Sequence, residues 1–133
     1  GVHLHPTLYR EVCQRVGPSR VTLVTDAMAG TGVPDGTYAL GGRPVRVEGG
    51  IARGANGALA GSTLTMERAL ANMAAAIREP LQAILPAATR VPARALGLQA
   101  GEIAVGLAGD LVVLSASGDV DLTAVSGQIV WER

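Results

Sequence analysis

Phenylalanine is absent from this 133-residue chain, so its core must be built from small aliphatic side chains that pack well but individually bury little area. Charge of one sign is lacking too: 11 basic and 11 acidic residues give a formal net charge of zero. No Lys/Arg cluster with interleaved aromatics occurs. That balance argues against a nucleic-acid or anionic-membrane surface and favours small-molecule partners. A single cysteine, Cys13, excludes an internal disulfide and fits a reducing compartment. No apolar run approaches the ~20 residues that span a bilayer, and no signal-peptide pattern is visible. The opening Gly1-Val2-His3-Leu4-His5-Pro6 has neither initiator Met nor lead-in, which suggests a cut through a larger protein.

What is present alternates between helical and extended patterns. In residues 6–16, Leu8, Val12 and Val16 recur every four positions, with Pro6 suited to a first helical turn and Gly17 to the residue after the last. The run VTLVTDA at 21–27 is apolar and β-branched, which predicts a strand buried on both faces, as in a parallel sheet. Helix, buried strand, then a loop bearing the carboxylate of Asp26 is the repeating unit of a β/α barrel, whose active sites lie at the C-terminal strand ends. Residues 33–60 break that rhythm: Asp35-Gly36 and Gly49-Gly50 punctuate short stretches that read as small hairpins. Gly61-Ser62-Thr63 then opens a helical stretch with a hydroxyl as N-cap, Glu67 in the first turns, and Leu70, Met73 and Ile77 on one face. It should end near Glu79-Pro80. A second helical piece is interrupted by Pro86, and Pro92 to Gly97 forms one more turn. From Gly101 onward DLVVLSAS, VDLTAV and QIVWE read as strands separated by Gly turns, forming a small β-sandwich or sheet.

Three features invite chemistry, and each has a structural alternative. A carboxylate ending a buried strand is costly unless it is bonded, ligates a metal or faces an open site. Such an Asp caps the following loop about as often as it catalyses, so spacing leaves both roles of Asp26 open. His3 and His5 alternate on an extended backbone and could share a metal, but two ligands do not complete a site. The structural reading of His5 is a helix-start residue beside Pro6. The glycine-rich loop at 28–32 could cradle an anion through bare N–H groups, or simply give the backbone freedom over a pocket; it lacks the Lys-Ser/Thr ending of a P-loop. Leu59-Ala60-Gly61-Ser62 is either a plain helix entry or a place where backbone groups meet a ligand.

The order of the segments is more specific than any one of them. GVHLHP, LVTDAMAGTG, DGTYALGG, GALAGSTLTMERALAN, PARALGL and GEIAVGLAGDLVVL follow one another over nearly the whole chain. That series resembles the C-terminal third of the N-acetylglucosamine-6-phosphate deacetylases of the amidohydrolase superfamily, VTDA with LAGSTLTM being the family-specific part. The resemblance implies an α/β fold: residues 1–98 as the last elements of a (β/α)8 TIM-type barrel, with hairpins inserted at about 33–60, and residues 99–133 as strands of a small β-sandwich domain. It implies hydrolysis of the acetamide of N-acetylglucosamine 6-phosphate to glucosamine 6-phosphate and acetate. Asp26 would be the catalytic acid/base beside the metal, His3 with Gly1 and Val2 would bind the sugar, and Leu59, Ala60 and Gly61 would offer backbone contacts to the substrate. The one divalent metal ion, zinc or similar, would be held by a Glu and two His upstream, with no principal metal ligand in this stretch. The resemblance further implies a cytoplasmic homodimer acting on an amino-sugar phosphate. Alone, the stretch is expected to be inactive and unable to form a stable monomer, because strand edges and apolar faces are left uncovered. Two other readings remain: a different amidohydrolase acting on a cyclic amide or dipeptide, dihydroorotase-like or isoaspartyl-dipeptidase-like, and a non-catalytic fragment.

Overall fold

The first helix forms where the sequence places it. The computed structural model describes residues 1–133, and α1 runs Pro6–Val16 with Pro6 at its first position and Gly17 as C-cap. Only Cys13 of α1 is buried; Leu8, Val12 and Val16, the stripe expected to face a core, remain open to solvent. A 3-10 turn, Pro18–Arg20, leads into the extended segment that the sequence marks as a strand.

That segment, 21–27, is not a ladder strand. Its only sheet-type pairing is one parallel bridge, Ala27 to Ser62, together with the hydrogen bond from the Leu23 N–H to the Ala87 carbonyl at 2.9 Å. Nor is it buried on both faces: Val21 and Leu23 turn inward while Val24 is 72% exposed. A parallel strand is covered only when strands and helices flank it, and within this chain one side of the segment has no neighbour.

Three strands follow as an antiparallel meander: β1 (Gly36–Leu40), β2 (Arg43–Glu48) and β3 (Ile51–Gly54). Both connections are two-residue Gly-Gly turns with positive φ at both positions, the conformation that matches the strand twist and that glycine adopts most easily. The Asp35 carboxylate accepts hydrogen bonds from the N–H groups of Gly49 and Gly50, so this residue clamps the far turn rather than making its own. Met28, Val45, Val47 and Ala52 form a small core under the sheet, with Tyr38 and Ala60 packed against it.

The 28–32 loop belongs to this core. Gly30 is buried, and a Cβ there would lie 2.8 Å from Val47 Cγ2, 2.9 Å from Tyr38 Cδ2 and 3.0 Å from Met28 Sδ. Close approach is therefore what requires glycine at position 30, whereas Gly32, with φ +74° and nothing near a Cβ, is required by its backbone conformation. Gly30→Ala should destabilise the protein by about 1–3 kcal/mol through overpacking; an unchanged denaturant midpoint would show that the hairpin sheet yields freely.

The main helix, α2, spans Met66–Ile77 and buries Ala69, Leu70, Met73 and Ala76. It begins later than the sequence suggests. Ser62 is held by the bridge to Ala27, its hydroxyl accepts from the Leu64 N–H at 2.8 Å, and the Thr63 hydroxyl donates to the Gly50 carbonyl, so residues 61–64 are committed elsewhere. Thr65 takes the N-cap position without a side-chain cap bond. The short α3 (Leu81–Ile84), a 3-10 turn (Leu85–Ala88) and α4 (Arg90–Ala95) come next. After α4 the Leu98 N–H donates to the Ala93 carbonyl and the Gly97 N–H to the Arg94 carbonyl, a Schellman closure around Gly97.

A second core joins these helices: Cys13, Leu70, Met73, Ile84 and Ala87, with Val21 and Leu23 against it. Burial holds the Cys13 thiol above its ordinary pKa. The unfolded chain then ionises first, so this contribution to stability is intact below the usual thiol range and falls as pH rises through it. Alkylation of Cys13 at mildly alkaline pH should be slower than that of the unfolded chain; equal rates would place the thiol in solvent.

The C-terminal strands β4 (Leu111–Leu114), β5 (Val120–Val125) and β6 (Gln128–Glu132) form one antiparallel sheet rather than a sandwich. Ala124 is its only buried residue, while Val112, Val113, Ile129, Val130 and Trp131 are exposed. A sandwich requires a second sheet over one face, and this chain supplies none. The architecture is thus mixed α/β, with two small antiparallel sheets and helices between them.

Candidate active site

Asp26 sits where the extended segment turns into the 28–32 loop. Its φ is +52°, in the left-handed region that Asp enters more readily than most side chains. The Ala27 N–H donates to the Thr25 hydroxyl at 3.3 Å, and across the chain the Ser62 N–H donates to the Asp26 carbonyl at 2.8 Å. The residue is exposed, contrary to the expectation of a carboxylate ending a strand buried on both faces. The chain's three ion pairs lie elsewhere, at Arg46–Glu48 and at Arg133 with Asp119 and Asp121. The Asp26 carboxylate therefore has no cationic partner within the chain.

Asp26 lines an open cleft of about 610 Å³. The N-terminal Gly1, Val2 and His3 form one part of its wall, the β2–β3 turn another, and residues 62–65 with Arg68 and Asn72 a third. Four of the residues singled out in the sequence, Gly1, Val2, His3 and Asp26, are thus brought together from opposite sides of α1. Leu59, Ala60 and Gly61 are not in the lining. Leu59 bridges Arg53, the Ala60 N–H donates to the Ala52 carbonyl at 3.1 Å, and Gly61 lies behind Asp26.

His5 takes the structural role. It is the N-cap of α1, its Nδ1 accepting from the Thr7 N–H at 3.3 Å and lying 3.1 Å from the Thr7 hydroxyl. No group of three or more His, Cys, Asp or Glu side chains converges anywhere in the chain. His3 and Asp26 are the only His, Cys, Asp or Glu residues in the cleft, short of the ligand set a divalent ion needs. Sequence reasoning passed over Arg68 and Asn72. Their signal was an i, i+4 polar pair on α2, off the Leu70–Met73–Ile77 stripe, and it is a weak one because such pairs mostly mark a solvated face.

The chain matches the amidohydrolase family model over residues 1–130, and it belongs to that family. Among its relatives is an N-acetylglucosamine-6-phosphate deacetylase of Vibrio furnissii, 37% identical over 99% of this chain and 33% of the relative. An N-acetylgalactosamine-6-phosphate deacetylase of Escherichia coli is also 37% identical, over 97% of this chain and 34% of the relative. Among solved structures, a mutant of the Mycobacterium smegmatis N-acetyl-D-glucosamine-6-phosphate deacetylase in complex with N-acetyl-D-glucosamine-6-phosphate superposes with a TM-score of 0.90 at 42% identity, covering 98% of this chain and 35% of that one. The chain spans about a third of the length of these relatives.

Proposed function

We propose that this chain is the C-terminal third of a deacetylase that hydrolyses the acetamide of N-acetylglucosamine 6-phosphate to glucosamine 6-phosphate and acetate. The observation that carries the reading is the unpaired Asp26 carboxylate facing one cleft with His3, in a chain similar over its whole length to deacetylases of amino-sugar phosphates. Residues 1–98 are then the last elements of a (β/α)8 barrel, with β1 to β3 inserted after its final strand, and residues 99–133 are part of a small β domain. The parallel bridge at Ala27–Ser62 and the order α1, extended segment, α2 support that assignment.

In this reading Asp26 accepts a proton from the attacking water and returns it to the departing amine, general acid/base work suited to a carboxylate with no competing cation. His3, with Gly1 and Val2 beside it, offers an imidazole to the sugar. Leu59, Ala60 and Gly61 reach the substrate only if the strap 59–61 presents its backbone beyond the present cleft wall. The donors in this chain do not by themselves fit the divalent metal that such hydrolases use, so its ligands are assigned to a preceding part of the protein. The protein acts as a homodimer in the cytoplasm, a location consistent with the single thiol. No helix is long and apolar enough to cross a membrane.

The test is acetate release by the full-length, metal-supplemented protein from N-acetylglucosamine 6-phosphate, set beside N-acetylgalactosamine 6-phosphate and a cyclic amide such as dihydroorotate. Turnover of the glucosamine derivative is expected. Preference for the galactosamine derivative would reassign the substrate, and hydrolysis of the cyclic amide alone would move the protein to another branch of the family. Failure on all three would favour a non-catalytic role.

A further inference from the structure

The backbone at Asp26 is held by a strut from a distant part of the chain. A left-handed φ at a residue other than glycine costs on the order of 1–3 kcal/mol and persists only where its surroundings impose it. Two hydrogen bonds impose it here. The Ser62 N–H donates to the Asp26 carbonyl at 2.8 Å, and the Met28 N–H donates to the Ser62 carbonyl at 2.9 Å, so the peptide groups on both sides of Ala27 are fixed by one residue. Ser62 is itself immobilised: it is 9% exposed, its hydroxyl accepts from the Leu64 N–H at 2.8 Å, and its carbonyl also accepts from the Thr31 hydroxyl at 3.2 Å. Immediately before it, Gly61 has φ +67°, and a Cβ there would lie 3.2 Å from Met28 Cβ and 3.4 Å from the Asp26 carbonyl oxygen.

We infer that Gly61 and Ser62 are positioning residues, which set the direction of the Asp26 carboxylate by fixing the peptide that follows it. The inference rests on the acid/base reading of Asp26 and gives Gly61 a role separate from any contact with substrate. A side chain at Gly61 presses on Met28, 3.2 Å away at its Cβ, and meets the Asp26 carbonyl oxygen at ordinary contact distance. A shift of Met28 disturbs the two Ser62 bonds that fix the peptides on either side of Ala27, and movement of those peptides swings the Asp26 carboxylate within the cleft. Misplacement of a reacting group by about an ångström costs up to about a hundredfold in rate.

In the full-length protein, Gly61→Ala should lower kcat about tenfold to a hundredfold with KM within about threefold. A rise in KM at unchanged kcat would make Gly61 a substrate contact and overturn the inference. Gly57→Ala is the control for backbone strain, since Gly57 has φ +77° with nothing within 4 Å of a Cβ. It should leave kcat within about twofold, and a loss equal to that of Gly61→Ala would make the effect one of general strain. On an Asp26→Asn background, Gly61→Ala should cost less than about twofold more, because it acts through the group already removed; multiplying losses would overturn the inference. Should Gly61→Ala fail to fold, Gly61→Asn tolerates left-handed φ yet keeps the Cβ, and the same kcat loss is expected. Failure of both to fold, read by circular dichroism, would make Gly61 a folding requirement and overturn the positioning role. Near-normal turnover of Asp26→Asn strikes instead at the acid/base reading, and is told apart because it needs no change at Gly61.

Discussion

Asp26→Asn in the full-length protein is expected to lower turnover about a thousandfold while leaving KM within a few-fold. The substitution isolates the proton-transfer role. Asn has the shape of Asp and shares its tolerance for left-handed φ, so the +52° backbone and the bond from the Ser62 N–H survive the change. What is lost is the ability to take and return a proton. An alanine variant would confound the two, since it also loses the residue's ease in that conformation. Acetate release at saturating and limiting substrate separates kcat from KM, and a variant with near-normal kcat removes Asp26 from the chemistry.

Residues 1–133 produced alone should release no detectable acetate even with divalent metal added, and should self-associate rather than behave as a cooperatively folded monomer. Both halves of the expectation have structural grounds. No cluster of donors exists to capture the metal. Only 15 of 133 residues are buried, which leaves the α1 stripe, the outer side of segment 21–24 and both faces of the β4–β6 sheet uncovered. Apolar groups at Leu8, Val12 and Tyr9 line an open groove of about 360 Å³ against Val21 and Leu23. Exposed apolar surface of that extent drives association. Gel filtration with dye binding reads the first outcome and calorimetric metal titration the second; a monomer with a sharp unfolding transition and measurable acetate release would sink both.

The two sets of expectations, met and unmet, divide along one line. The start and end of α1, the Gly49-Gly50 turn and the stop at Gly97 were legible because each is decided within a few residues, by proline's fixed φ, glycine's access to positive φ and the hydrogen bonds of a helix end. His5 as a helix-start residue was legible for the same reason. The burial of VTLVTDA was misjudged because apolar composition states what a segment needs, while its neighbours state whether the need is met. The later start of α2 escaped as well: nothing local in Gly61-Ser62-Thr63 says that Ser62 bonds to residues 26–28, more than 30 positions earlier.

Asp26 falls on both sides of that line. The sequence by itself determined the chemistry available to the chain: one carboxylate after an apolar β-branched run, two histidines near the start, and an order of segments that marks the family. Only the tertiary structure decided which of these meet. It brought His3 and Asp26 to one cleft, turned Gly30 into the hairpin core and placed Ser62 behind Asp26. The reason is physical: local propensity acts over a turn or two of chain, whereas the direction of a carboxylate depends on hydrogen bonds and close contacts between residues far apart in sequence.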